Sequence, residues 1–196
     1  MKDVFGLIYT SDESDMRLRD LTRSRSIAAM PIGGRYRVID VLLSNLVHSG
    51  VSNVGLITQR NYHSLMDHLE SGKAWDLNRK RDGLFILPPY VTRSSTGSYS
   101  GLLDAIRSNL NYVRRASQRY ALISGSSTVF NMKFDDMMAQ HLATGADITI
   151  LYNVPADDES NGDADRTHLK TDESGRVDDI EGTPHLNTHP NVSMDV

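Results

Sequence analysis

Apolar and polar positions fall into alternating blocks along the first three quarters of the chain. Val4-Phe5-Gly6-Leu7-Ile8-Tyr9 and Val51 to Thr58 read as buried strands, and Leu84 to Leu87, Tyr120 to Ser124 and Ala146 to Val154 as further strands. Between them the apolar spacing becomes helical. Tyr36 to Ser49 places Val38, Val41, Leu42 and Leu46 on one face, with Gly50 suited to the position just past the helix end. Asn61 to Glu70 carries Leu65, Met66 and Leu69 and ends near Gly72. Gly101 to Arg115 carries Leu102, Leu103, Ile106, Leu110 and Val113, and its terminal Arg114 and Arg115 suit the helix dipole. Asp135 to Ala143 is the last helix, with Gly145 behind it. Strand and helix in alternation predict an α/β fold, a doubly wound or mostly parallel sheet with helices on both faces.

The connections are polar. Lys73 to Arg81 reads as a basic surface loop, Pro88-Pro89 closes the third strand, and Arg93 to Ser98 is loop by composition. From Asp157 to Asp179 nine acidic residues face three basic ones, with Gly162 and Gly175 interrupting, which predicts a solvated excursion carrying a hairpin over His168 to Ile180. The expected division is therefore a core over residues 1–154 and an acidic excursion over 155–196 that ends at the start of another strand, Ser193-Met194-Asp195-Val196.

Composition narrows the chemistry. The 196 residues, 39% hydrophobic and 23% charged, suffice for one globular domain with a core. The absence of cysteine excludes disulfide, zinc-thiolate and thiol-nucleophile chemistry and fits a cytoplasmic protein. A formal charge of −4 argues against a dedicated nucleic-acid binder. No run of about 18 apolar residues is present, so no membrane partner is expected.

In an open α/β sheet, the loop after the first strand is where nucleotide phosphates settle. Here that loop is Ser11-Asp12-Glu13-Ser14-Asp15, with three carboxylates and no glycine. A phosphate cradle needs backbone N–H groups turned inward, which glycine permits and acidic side chains oppose. Two like charges about 8 Å apart repel by roughly 2 kcal/mol at an effective dielectric near 20. The loop is thus unsuited to phosphate, and reads either as a degraded phosphate loop, as a plain solvated turn, or as a cation site built from Asp12, Glu13 and Asp15. Six arginines lie between Arg17 and Arg37. They are either ordinary surface charge or an anion site, since guanidinium forks match phosphate oxygens.

Arg17-Leu18-Arg19-Asp20-Leu21-Thr22, then Arg25-Ser26-Ile27-Ala28-Ala29-Met30-Pro31-Ile32-Gly33-Gly34-Arg35-Tyr36-Arg37-Val38-Ile39-Asp40 with Leu43-Ser44-Asn45, resembles the amino-terminal signature of the glucose-1-phosphate adenylyltransferases. Further ordered matches follow at Thr58-Gln59, Ser64-Leu65 with His68-Leu69, Trp75-Asp76-Leu77, Leu87-Pro88-Pro89, Tyr99 with Gly101, and Asp104-Ala105-Ile106. The resemblance implies a Rossmann-like sheet of the sugar nucleotidyltransferase type, and implies that a full-length member continues into the rest of that domain and a left-handed β-helix. Gly33, Gly34, Tyr99, Gly101 and Asp104 would be the remnant of its pocket.

The departures fall on the family's phosphate and metal positions. Its first loop, Gly-Gly-x-Gly-Thr, becomes Asp12-Glu13-Ser14-Asp15-Met16, and the lysine of Arg-Ala-Lys-Pro becomes Ile27. Its Gly-Thr-Ala-Asp-Ala becomes Gly101-Leu102-Leu103-Asp104-Ala105, where leucines would crowd an adenine pocket or simply fill core. The aspartate of Ser-Gly-Asp-His, implied to hold magnesium, becomes Ser127, and the sugar-phosphate lysine of Glu-Lys-Pro becomes Thr183. A serine hydroxyl is a weaker magnesium ligand than a carboxylate, and adenylyl transfer needs metal and cations on its phosphates. No catalytic residue and no cofactor is therefore expected.

The pattern resembles the non-catalytic D-type subunit that pairs with a catalytic C-type subunit in bacterial glycogen synthesis. A phosphorylated sugar is its implied effector, with Arg17, Arg23 and Arg25 as candidate contacts. Two other classes stay open: an active adenylyltransferase using magnesium and ATP with Arg17 and Asp104, and a stand-alone sugar-phosphate sensor. His185 and His189 are spaced four apart, but Pro184 and Pro190 make a helical metal pair unsuitable there. His63 and His68 diverge on their helix, and Ser126-Ser127 lacks a nucleophile elbow.

Overall fold

The computed structural model describes residues 1–11, 15, 18–89, 91–92, 95–96, 98–154, 167–182, 191–194 and 196. Of the residues singled out above, Asp12, Glu13, Arg17, Thr183, His185 and His189 lie outside that set. In chain order, β1 (Val4–Tyr9) is followed by single 3-10 turns at Arg19–Thr22 and Ile27–Ala29 and by a short hairpin, β2 (Pro31–Ile32) and β3 (Tyr36–Arg37). Next come α1 (Val38–His48), β4 (Asn53–Ile57), α2 (His63–Leu69), a 3-10 turn at Lys73–Trp75 and β5 (Gly83–Leu87). A second small hairpin, β6 (Val91–Thr92) and β7 (Ser95–Thr96), precedes α3 (Leu102–Ser108), α4 (Leu110–Arg115), β8 (Tyr120–Gly125) and α5 (Asp135–Thr144). The remaining strands are β9 (Tyr152–Asn153), β10 (His168–Thr171), β11 (Val177–Glu181) and β12 (Asn191–Ser193). The chain divides into two compact units, Met1–Met138 and Ala139–Val196.

The first unit is built on a four-stranded sheet in the order β5-β4-β1-β8, parallel throughout. Parallel strands covered on both faces should read as unbroken apolar runs, and β1 does, as does β4 after its first residue, Asn53. Two glycines show how each face is covered. A Cβ on Gly6 would stand 3.3 Å from Leu46 of α1, and a Cβ on Gly55 would stand 2.5 Å from the ring of Tyr112 on α4. Gly55 pairs with Leu7, next to Gly6 in β1, so successive side chains place α1 and α4 on opposite faces. On the α4 side Phe5, Leu7 and Ile57 pack with Tyr99 and Ala105, flanked by Ile106, Tyr112 and Val113. On the other side Leu46 is fully buried. Each such aliphatic side chain removed from water contributes about 1.5–3 kcal/mol before entropy is counted.

The α1 terminus is locked to α2. The Asp40 carboxylate accepts the Arg37 backbone N–H at 2.9 Å and lies 2.6 Å from His68 Nε2, whose ring packs edge-on against Trp75. The Arg37 guanidinium donates to the carbonyl of Ser64 and, at 2.9 Å, to its hydroxyl. At the far end of α1, Ser49 Oγ accepts the Phe134 N–H at 2.8 Å and Asn45 Nδ2 donates to the Phe130 carbonyl at 2.7 Å.

Three expectations change. The helix read over Gly101 to Arg115 is two helices, because Asn109 (φ −106°, ψ 20°) turns the backbone between them and donates its amide to the Ala105 carbonyl at 2.9 Å. At its start Leu102 and Leu103 are not core: they are 36% and 81% exposed. Within Ala146 to Val154 only Tyr152 and Asn153 pair with another strand, β12. Leu151 exchanges backbone bonds with Val196 and Met194 at 2.9 Å each, while Ala146 to Ile150 have no ladder partner among the described residues to hold them as a strand.

The second unit, taken by itself, carries an antiparallel sheet in the order β11-β10-β12-β9. The hairpin read over His168 to Ile180 is β10–β11. Asp172 closes its turn by accepting N–H groups from Ser174 (2.8 Å) and Arg176 (3.0 Å) and the Ser174 hydroxyl (2.6 Å). That hydroxyl, and then the Arg176 backbone N–H, hold the Asp172 carboxyl below its usual range.

Candidate functional site at the carboxyl edge of the sheet

Parallel strands end together, so the loops after β1, β4, β5 and β8 gather on one edge, and β1 and β8 reach it paired at Tyr9 and Gly125. The organising residue there is Gln59, two positions past β4 and 3% exposed. Its N–H donates to Thr10 Oγ1 at 3.0 Å, and its Nε2 donates to the Tyr9 hydroxyl at 2.8 Å and the Tyr99 carbonyl at 3.4 Å. Its Oε1 accepts the Tyr99 N–H at 3.3 Å. The carboxamide thus bonds Tyr99 as a neighbouring strand would, and Asn109 Nδ2 donates to the Tyr99 hydroxyl at 3.2 Å. Nothing in the apolar pattern points to Gln59 or Asn109. Gln59 is signalled by the Thr58-Gln59 match to the family pattern, and Asn109 only by a polar side chain inside an apolar helix.

Of the expected pocket residues, Tyr99, Gly101 and Asp104 stand together. The Asp104 carboxylate accepts the Ser100 N–H at 3.1 Å, and a Cβ on Gly101 would meet nothing within 4 Å. Gly33 and Gly34 are held separately, in the exposed turn between β2 and β3, both with positive φ (57° and 81°). Glycine adopts that backbone without steric cost.

The first loop meets the edge through Asp15. Its Oδ1 accepts the Ile27 backbone N–H at 2.7 Å, at the start of the 3-10 turn Ile27–Ala29, and its carbonyl accepts the Thr22 hydroxyl. The carboxylate is therefore turned toward its own chain, a different arrangement from a solvated turn. Ser127 is half-buried, two residues beyond β8. Among the described residues, no group of three His, Asp or Glu side chains could hold a metal ion. Arg23 is exposed and Arg25 half-buried on the segment that leads from Thr22 to Ile27. The hydroxyls of Ser26 and Thr58 are buried without a hydrogen-bond partner among the described residues.

With this geometry in place, comparison with known proteins is informative. The nucleotidyl transferase family profile matches residues 14–194. The chain belongs to that family. It is 43% identical over 151 residues to a glucose-1-phosphate adenylyltransferase of Thermomicrobium roseum, a match covering 76% of this chain and 35% of the relative. It is 45% identical over 132 residues to the glycogen biosynthesis protein GlgD of Geobacillus stearothermophilus, covering 67% of this chain and 38% of the relative. A glucose-1-phosphate adenylyltransferase of Clostridium novyi matches the chain over its whole length at 30% identity, covering 50% of that relative. The chain thus spans about a third to a half of the length of these relatives. The resemblance read from Arg17 to Ile106 and the Rossmann-like α/β fold both stand, and the relatives include proteins named for glucose-1-phosphate adenylyl transfer and for glycogen biosynthesis. Among the described residues, no helix is long and apolar enough to cross a membrane.

Proposed function

We propose that this chain is the nucleotidyltransferase-fold part of a regulatory, non-catalytic subunit that works with a catalytic adenylyltransferase subunit in cytoplasmic glycogen biosynthesis. The observation that carries the reading is Asp15, whose carboxylate is bonded to the Ile27 N–H on the loop where the family resemblance implies phosphate. A carboxylate held there repels a triphosphate rather than receiving it. The reading is supported a second time at the end of β8, where Ser127 offers a hydroxyl in place of the carboxylate that would anchor magnesium. The residues present do not fit a magnesium-bridged nucleotide, and no reaction step is assigned to this chain. Arg23 and Arg25, with Arg17 carried only by the sequence resemblance, are the proposed contacts for a phosphorylated sugar effector, because guanidinium forks match phosphate oxygens.

The competing reading, an active adenylyltransferase, is favoured by the names of the Thermomicrobium and Clostridium relatives. It would recruit Asp104, whose carboxylate is occupied by the Ser100 N–H. Purified full-length protein, incubated alone with ATP, glucose 1-phosphate and magnesium, is expected to release no diphosphate above background. Co-expression with a catalytic subunit is expected to give a mixed oligomer whose kinetics differ from those of the catalytic subunit alone. Turnover by the isolated protein at the level of a catalytic subunit would overturn the proposal.

A further inference from the structure

The segment from Thr22 to Ile27 has a pattern that helix or strand formation does not explain. Thr22 and Ser26 are 4% and 1% exposed, while Arg23 between them is exposed and Arg25 half-buried. No regular ladder holds Arg23 to Ser26. Two of the hydrogen bonds that hold this segment, one at each end, go to the same residue. Asp15 receives the Ile27 N–H on its carboxylate at 2.7 Å and the Thr22 hydroxyl on its carbonyl. Asn61 reinforces the same place from the loop after β4, donating to the carbonyls of Thr22 (3.2 Å) and Arg23 (3.4 Å). Ahead of the segment, Arg19 has a φ of 46°, a left-handed backbone that a non-glycine residue keeps only when its surroundings enforce it. Thr22 Oγ1 also lies 3.1 Å from the Arg19 carbonyl, so its single proton is shared between that carbonyl and the nearer one of Asp15.

We propose that Asp15 is a positioning residue that fastens both ends of the Thr22–Ile27 segment and so presents Arg23 and Arg25 to an anion in a fixed arrangement. Its side chain holds one end and its main chain the other, so a single residue ties the segment at both ends. The anion role of the arginines rests on the reading given under Proposed function; the fastening does not. Fixing two guanidinium groups before binding removes ordering entropy from the cost of capturing a phosphate group.

Trypsin provides the test, because it cuts after Arg23 and Arg25 only when the segment opens. In the full-length protein Asp15→Ala is expected to speed cleavage there about tenfold, whereas Asp15→Asn, whose amide oxygen still accepts the Ile27 N–H, should stay within about threefold of the parent. Circular dichroism checks that each variant is folded. If Asp15→Ala does not fold, Thr22→Val, which removes the hydroxyl at nearly constant shape, is read in the same way. Cleavage as slow as the parent in a folded Asp15→Ala or Thr22→Val protein would overturn the fastening. Calorimetric titration with inorganic pyrophosphate then addresses the arginines: the parent should bind, and Asp15→Ala should bind about fivefold more weakly because the loop must first be ordered. Faster cleavage in a protein whose parent does not bind pyrophosphate would leave the fastening standing and overturn the anion reading.

Discussion

Both faces of the parallel sheet are closed by side chains that meet a glycine or an aliphatic neighbour, whereas its carboxyl edge is closed by polar groups that bond to one another. On the faces, Leu46 fills the space over Gly6 and Tyr112 the space over Gly55. At the edge, Gln59 grips Tyr99 and Asp15 grips Ile27. The difference teaches where a fold can change its chemistry. A face position is coupled to a whole layer of neighbours, so substitution there costs the fold. An edge loop answers to a few hydrogen bonds, so its side chains can change while the sheet beneath it persists.

The largest effect should come from a face. Leu46→Ala removes a fully buried side chain from the α1 layer and is expected to cost about 3 kcal/mol, read as a lower urea midpoint with an unchanged slope. Next is a contrast between the two glycines. Gly55→Ala places a methyl 2.5 Å from the Tyr112 ring and should cost about 2 kcal/mol, while Gly6→Ala, 3.3 Å from the flexible tip of Leu46, should cost less than about 1 kcal/mol. Equal costs would mean that the two faces are equally tolerant.

Tyr112 gives a smaller, pH-dependent signal. Its hydroxyl donates to Asn53 Oδ1 at 2.9 Å, and burial, with Asp82 as a lesser cause, pushes its pKa up from 10.0. The folded state then keeps a proton that the unfolded state releases. Its contribution is therefore complete below pH 10.0 and is lost as pH rises above that value. Tyr112→Phe should cost about 1 kcal/mol at neutral pH and flatten the alkaline fall in stability measured between neutrality and high pH. The smallest effect belongs to the edge. Ser127→Asp, at a half-buried loop position, should shift stability by less than about 0.5 kcal/mol and restore no diphosphate release by itself.

The sheet was legible because apolar runs mark its strands: β1 and β4 lie inside the runs that predict them, while β5 starts one residue before its run at Gly83 and β8 ends one residue after its run at Gly125. The hairpin β10–β11 was legible through Gly175 and its polar turn. Where tertiary polar contacts decide the structure, the sequence was silent. Asn109 splits one helical pattern into two helices through a bond from its own side chain, and Leu103, which fits a helical apolar stripe, points away from the core. The candidate site was legible as a set of departures from the family pattern but not as a geometry. Asp15 sits in an acidic run that reads equally as a solvated turn, and its partner is a backbone N–H twelve residues away, for which no residue pattern codes.

The apolar run that pairs only over Leu151 to Asn153 has a consequence of its own. Ile148 to Val154 contains no charge and no proline, is rich in β-branched and aromatic residues, and leaves Ile148 79% and Val154 58% exposed. That composition is the signature of segments that stack into cross-β fibrils. Concentrated solutions of this chain by itself should therefore gain thioflavin fluorescence over time, and Ile150→Lys should slow that gain.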